Sequence, residues 1–176
     1  MIAAFGDPGL RAARELFDMP VTGMSEDSML MACSLGKRFA FVTFTPSLGT
    51  WYSEQVRVAG LDSRFAGVHA PDGGFSDIKT VVGDLKARLT EVCRTAARTA
   101  DVVILAGAPI AGLACQIRGD VEAVLLDPVQ AAVLSVVGLH RLAPDGASLG
   151  PFARPSAKPS TVPPDALSRL ISRGSE

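Results

Sequence analysis

The sequence predicts an α/β protein, a parallel β-sheet flanked by helices, and three observations support that class. Short apolar runs alternate with stretches of helical periodicity, and strands that alternate with helices are joined by right-handed crossovers into a parallel sheet. The run Val102–Leu105 contains no polar residue, as expected of a strand buried on both faces. Four apolar runs also end alike, with a short turn and a proline suited to the first helical position. These turns are Gly6-Asp7-Pro8, Phe44-Thr45-Pro46, Gly107-Ala108-Pro109 and Leu126-Asp127-Pro128.

The remaining elements follow from periodicity and from helix-capping residues. Apolar runs predict strands at residues 1–5, 37–45, 65–69, 101–106 and 121–126. Helical spacing predicts helices at residues 8–17, 25–35, 46–59, 76–96, 109–118, 128–137 and 166–172. Asp7, Ser25, Thr45 and Asp127 are the expected N-caps, because their side-chain oxygens accept a backbone N–H of the first helical turn.

The composition changes near residue 143. Residues 1–142 carry all the predicted strands and form the α/β domain, whereas 143–176 are rich in proline and contain one short helix. The first predicted strand begins at Met1, and a buried strand with nothing before it is unusual in an α/β sheet. We therefore expect that residues preceding Met1 are missing.

Several function classes are disfavoured by composition. The net charge of -1 offers no basic face for nucleic acid, and no apolar run approaches the roughly 18 residues of a membrane span. The sequence has neither GxGxxG nor GxxxxGK[ST], the glycine-rich motifs of nucleotide sites. Three widely spaced cysteines and two distant histidines give no metal-binding pattern, so we expect no metal, reduced thiols and a cytoplasmic protein. A homo-oligomer stays an open alternative.

The four turns predict a ligand site at the carboxyl edge of the sheet. Helix N-termini carry partial positive charge and free N–H groups, so their convergence favours a small carboxylate or another anion. The alternative is that proline at these positions is ordinary helix capping. Thr43, Thr45 and Ser47 offer hydroxyls to a ligand, although Thr45 is equally explained as a cap. His69 ends a strand at this edge, and His140 is expected on the surface.

Two of these turns carry a family resemblance. Ile2–Leu10, IAAFGDPGL, resembles the first active-site turn of the aspartate/glutamate/hydantoin racemase family, and residues 103–112, VILAGAPIAG, resemble the second. Residues 39–45 and 152–158 are similar to hydantoin-racemase relatives. The resemblance covers nearly the whole chain and implies two pseudo-symmetric α/β lobes, with the first lobe incomplete here. It also implies a small carboxylate, amino acid or hydantoin-like substrate and no cofactor.

The resemblance further implies a mechanism with two cysteines. One thiolate removes the substrate's α-proton and the other thiol returns a proton to the opposite face, since inversion requires two acid/base groups on opposite sides. The matching positions in this sequence are Ala4 and Gly107, and neither carries a thiol. Asp7 is the one ionisable residue at these two turns, either as a weak base or as a helix cap. The substrate-binding residues implied are Phe5, Gly6, Thr43, Thr45, Ser47, Ala108 and Pro109.

Two function classes remain open. The first is an isomerase of the racemase family that transfers an α-proton without the usual thiols. The second is a non-catalytic small-anion binder, or a decayed homologue, that keeps the fold. Both predict that residues 4–7, 43–47 and 107–109 share one pocket.

Overall fold

A computed structural model describes residues 1–73, 79, 81–146 and 152–153. Its helices are α1 (Leu10–Leu16), α2 (Met24–Leu35), α3 (Gly49–Val58), α4 (Val81–Ala97), α5 (Leu113–Ile117) and α6 (Pro128–Leu142). Its strands are β1 (Phe39–Val42), β2 (Phe65–His69), β3 (Val102–Leu105) and β4 (Val124–Leu126). The chain divides into two compact units, of which the first is Met1–Pro8 with Thr22–Ser135 and the second is Gly9–Val21 with Val136–Glu176.

The first unit contains a four-stranded parallel sheet in the order β2-β1-β3-β4. Strands β1 and β3 lie in the centre, and every residue of both is buried. A purely parallel sheet needs helical cover on both faces, and continuous apolar strands such as FAFV and VVIL are what such cover requires. The predicted fold class is therefore confirmed.

Two apolar clusters cover the two faces of the sheet. On one face, Ala40 and Val103 pack with Leu89 of α4 and Leu113 of α5. On the other face, the aromatic rings of β1 pack with residues of α2, α3 and α6. Alternation along β1 explains the division, because successive side chains point to opposite faces of a strand.

The first predicted strand is wrong. Residues 1–5 form one isolated parallel bridge, between Ile2 and Gly23, supported by a 2.7 Å hydrogen bond from the Ile2 N–H to the Thr22 carbonyl. The segment then turns at once, since the Asp7 N–H donates to the Ala4 carbonyl at 3.1 Å. Apolar character alone indicated a buried segment, but a sheet strand also needs a neighbouring strand of comparable length to bond.

Several predicted helix starts also move. Helix α1 begins at Leu10 after a left-handed Gly9, not at Pro8, and α2 begins at Met24 after Gly23, not with Ser25 as its cap. Pro46 and Pro109 lie in three-residue 3-10 turns, Pro46–Leu48 and Ala108–Ile110, and do not open α-helices. Proline fits the first position of either helix type, so its presence did not distinguish them.

Other boundaries shift by a few residues. Strand β4 starts at Val124 because residues 118–120 form a 3-10 turn, and α6 continues past Val137 to Leu142. The predicted opening of α4 near residue 76 and the helix at 166–172 lie outside the described residues. The division at residue 142 stays a prediction, since most of 143–176 is not described either.

Candidate functional site

The second and third of the predicted site segments meet where the two central strands end. Thr43 and Phe44 follow β1, Ala106 and Gly107 follow β3, and the Ala106 N–H donates to the Val42 carbonyl at 2.7 Å. A Cβ atom at Gly107 would lie 2.9 Å from Cε1 of Phe44. The two turns are therefore in direct contact at the carboxyl edge of the sheet.

The first turn packs onto β1 and α3 through aromatic rings. Phe5 is 3% exposed, and its ring centroid lies 5.2 Å from that of Phe41 and 4.7 Å from that of Tyr52, both in edge-on geometry. Gly6 has a φ of +106°, and a Cβ there would overlap the indole of Trp51. This close approach explains why glycine occupies position 6, and it fixes the Ala4–Gly6 backbone against α3.

Asp7 caps a helix other than the one predicted. Its carboxylate accepts the N–H groups of Ser25 at 2.9 Å and Glu26 at 2.8 Å, both in the first turn of α2. A Cβ at Gly23 would collide with this carboxylate, so the glycine makes room for it. Two backbone donors and the helix dipole stabilise the charged form, which makes Asp7 a helix cap and a poor proton acceptor.

Asp127 does for α6 what Asp7 does for α2. It is 4% exposed, and its carboxylate accepts from the N–H groups of Val129 at 2.9 Å and Gln130 at 3.3 Å. Its second oxygen accepts the Gly112 N–H at 2.5 Å, which anchors the end of the Gly107 turn. Protein carboxylates therefore already occupy the N-termini of both α2 and α6.

The prediction of four helix N-termini open to an anion is wrong for this reason. Helix α1 starts at Leu10 and not at Pro8, α6 is capped by Asp127, and Pro46 and Pro109 lie in three-residue 3-10 turns. No described residue at positions 4–7, 43–47 or 107–109 carries a positive charge. These three segments therefore offer no cationic side chain to an anionic ligand.

The three predicted hydroxyls behave differently. Thr43 is fully buried, its N–H donates to the His69 carbonyl at 2.9 Å, and its Oγ1 has no hydrogen bond of good geometry among the described residues. Thr45 and Ser47 lie nearer the surface, with their Oγ atoms 3.0 Å apart and bonded to each other. Thr45 makes no side-chain cap bond.

Tyr52 was missed by sequence reasoning. It lies in α3, is 3% exposed, and its hydroxyl interacts with the hydroxyl of Thr43. Burial raises the pKa of Tyr52 to about 12, an effect that Thr43 partly offsets. It is the single tyrosine of the chain and closely follows the Thr45-Pro46 turn, which is the one signal that pointed to it.

The remaining predicted positions offer less chemistry. Ala108 is exposed, whereas Ala4 and Pro109 are half-buried. His69 ends β2 beside Thr43, burial lowers its pKa, and its Nε2 is buried with no partner among the described residues. His140 lies exposed on α6, as predicted.

Comparison with known proteins decides the family. The family model described as Asp/Glu/Hydantoin racemase matches residues 1–136. A hydantoin racemase of Paenarthrobacter aurescens is 30% identical over 90% of this chain and 68% of its own length. The solved allantoin racemase of Klebsiella pneumoniae has a TM-score of 0.83 at 30% identity, covering 96% of this chain and 69% of that one. The allantoin racemase structure from Pseudomonas fluorescens has a TM-score of 0.77 at 26% identity, covering 92% and 68%.

The chain belongs to the Asp/Glu/hydantoin racemase family. The chain's own three cysteines lie on helices and not within the two turns to which the family resemblance assigns its thiols. Cys93 is fully buried in α4, where burial raises its pKa to about 12, and Cys33 is half-buried in α2. Cys115 is exposed on α5, and its Sγ lies 3.8 Å from Nε2 of Gln130.

Two further properties of this family member concern metals and membranes. Among the described residues, no group of three or more His, Cys, Asp or Glu side chains is arranged to hold a metal ion. None of the helices in the described part of the chain is long and apolar enough to cross a membrane.

Proposed function

We propose that this chain acts on a hydantoin-like cyclic ureide, without a cofactor, by proton transfer at the α-carbon of the ring. The observation that carries the proposal is the neutrality of the site. Asp7 is the only charged residue in segments 4–7, 43–47 and 107–109, and the first turn of α2 binds its carboxylate.

The lack of a cationic side chain in these segments favours an uncharged hydantoin over an acidic amino acid as the substrate. An acidic amino acid brings two carboxylates, and burying a carboxylate without a cation or free N–H donors is costly. A hydantoin is uncharged near neutral pH and presents two carbonyl groups and two N–H groups, which hydroxyls and backbone groups satisfy. The similarity to hydantoin and allantoin racemases supports the same substrate class.

A second candidate function is binding of the same ureide without catalysis. It is favoured by the residues at the two turns, because Ala4 and Gly107 have no acid/base group and the Asp7 carboxylate is engaged as a cap. The two-thiol mechanism is not available to this chain, so any proton transfer uses another group or an ordered water.

Deuterium exchange separates the two candidates. One enantiomer of 5-benzylhydantoin is incubated with the protein in deuterated buffer, and the C5–H signal is followed by NMR against a protein-free blank. Exchange above the blank, suppressed by 5,5-dimethylhydantoin, which has no α-proton, supports the isomerase. Saturable binding with exchange at the blank rate supports the binder, and the absence of any binding refutes both.

A further inference from the structure

The hydroxyl groups of Thr43 and Tyr52 form a polar pair in otherwise apolar surroundings. Thr43 is fully buried, and its N–H is already used by the His69 carbonyl. Its Oγ1 has no hydrogen bond of good geometry among the described residues, although the Tyr52 hydroxyl is near enough to interact with it. A buried hydroxyl left in this state costs stability, and valine has almost the same shape without that cost.

The phenol is held rigidly beside the first turn. The ring of Tyr52 packs edge-on against Phe5 at 4.7 Å and Phe41 at 6.4 Å, and it lies 5.6 Å from the indole of Trp51. Phe5 directly follows Ala4, the position where the family resemblance puts one of its thiols. The hydroxyl pair therefore lies at the carboxyl edge next to the segment where the reacting carbon of a ligand is expected.

Both hydroxyls are uncharged donors. Burial raises the pKa of Tyr52 to about 12, so the phenol keeps its proton throughout the physiological range. A protonated phenol and a threonine hydroxyl suit a neutral carbonyl oxygen, since each donates one hydrogen bond without bringing a charge.

We propose that the Tyr52 phenol, together with the Thr43 hydroxyl, binds a ring carbonyl oxygen of the substrate and makes this site prefer a cyclic ureide to its ring-opened acid. This inference rests on the proposed function and assigns a specificity role to Tyr52. Removing the phenol should weaken ureide binding. The acid should bind the wild type more weakly than the ureide does, because its carboxylate must be desolvated.

The affinity test uses calorimetric titration of the full chain with 5-benzylhydantoin and with N-carbamoylphenylalanine. Tyr52→Phe is expected to weaken hydantoin binding by about two- to tenfold, the range for one neutral hydrogen bond. Ser53→Ala is the matched control, since it removes a hydroxyl from the same helix that bonds only to the Gly49 carbonyl at 2.9 Å. Its hydantoin affinity should equal that of the wild type.

A stability measurement tests whether the pair serves a ligand or the fold. Thr43→Val combined with Tyr52→Phe should leave the Tm unchanged or raise it, because both buried hydroxyls are removed together, while it lowers hydantoin affinity. A lower Tm for this double variant, or unchanged hydantoin affinity for Tyr52→Phe when the wild type binds, would overturn the role of the pair alone. A wild type that binds no hydantoin would overturn the proposed function and the pair with it.

Discussion

Replacing Gly107 with alanine tests how the turn after β3 is built. Gly107 has φ +143° and ψ +132°, a conformation that side chains rarely adopt, and the added Cβ would lie 2.9 Å from Phe44 Cε1. Backbone strain costs about 1–3 kcal/mol, and crowding in a packed core costs about as much again. We therefore expect Gly107→Ala to lower the free energy of unfolding by about 2–6 kcal/mol.

Two matched glycine variants separate these contributions in urea unfolding. Gly112 also has a positive φ, of +83°, but nothing lies within 4 Å of its added Cβ, so Gly112→Ala should cost about 1–2 kcal/mol from strain alone. Gly83 lies exposed in α4 with open space around it, and Gly83→Ala should stabilise by about 0.5–1 kcal/mol.

Phe44→Leu isolates the crowding at Gly107. In that background the cost of Gly107→Ala should fall toward the strain contribution, about 1–3 kcal/mol, because the shorter side chain removes the contact. If Gly107→Ala were as stable as the wild type, or less damaging than Gly112→Ala, the described geometry of this turn would be wrong.

Three further predictions follow from the same geometry. In urea unfolding, the double variant Ala4→Cys with Gly107→Cys should be less stable than Ala4→Cys alone, by at least the cost of Gly107→Ala. With Phe44→Leu added, the double cysteine variant should exchange the hydantoin C5–H faster than the summed rates of the two single cysteine variants. A rate equal to that sum would show that positions 4 and 107 do not flank the α-carbon. Asp7→Ala should destabilise by about 0.5–2 kcal/mol through loss of the α2 cap, with Asp7→Asn closer to the wild type; unchanged Tm for Asp7→Ala would argue against the cap. Burial lowers the pKa of His69 in the folded protein, so the unfolded chain binds more protons near and below about pH 6.5. The free energy of unfolding should therefore fall as the pH drops below about 6.5. His69→Gln should flatten the pH dependence of the urea midpoint between pH 5 and 7.5, and an unaltered slope would contradict this role of His69.

Local sequence patterns correctly predicted several strands and one helix end. The runs at 39–42 and 102–105 became strands within the predicted bounds, because an uninterrupted apolar stretch is stable only where helices cover both faces. Residues 65–69 became the half-buried strand β2 at the predicted bounds. Gly36 ends α2 as predicted. Residues 1–5 failed, because a strand requires a partner, and partnership is not a local property of the chain.

The sequence also indicated which segments to expect at the site. The turn at residues 106–109 does follow a strand, β3, whereas residues 1–5 before the other racemase-like turn form only an isolated bridge. That the side chains at 4, 107, 108 and 109 are uncharged follows from their identity alone. The sequence likewise determined that positions 4 and 107 are alanine and glycine, so neither carries a thiol whatever the packing.

Only the tertiary structure decided what the polar groups bind. Asp7 was expected to cap the helix that follows it, yet it binds N–H groups of Ser25 and Glu26, and Asp127 reaches back to Gly112. The Asp127 carboxylate occupies one of the helix ends that the sequence offered to an anion, the N-terminus of α6. Tyr52 meets Thr43 for a similar reason, since α3 packs onto the sheet face that Thr43 shares. Hydrogen bonds act over about 3 Å, so partners distant along the chain are chosen by packing and cannot be read from spacing.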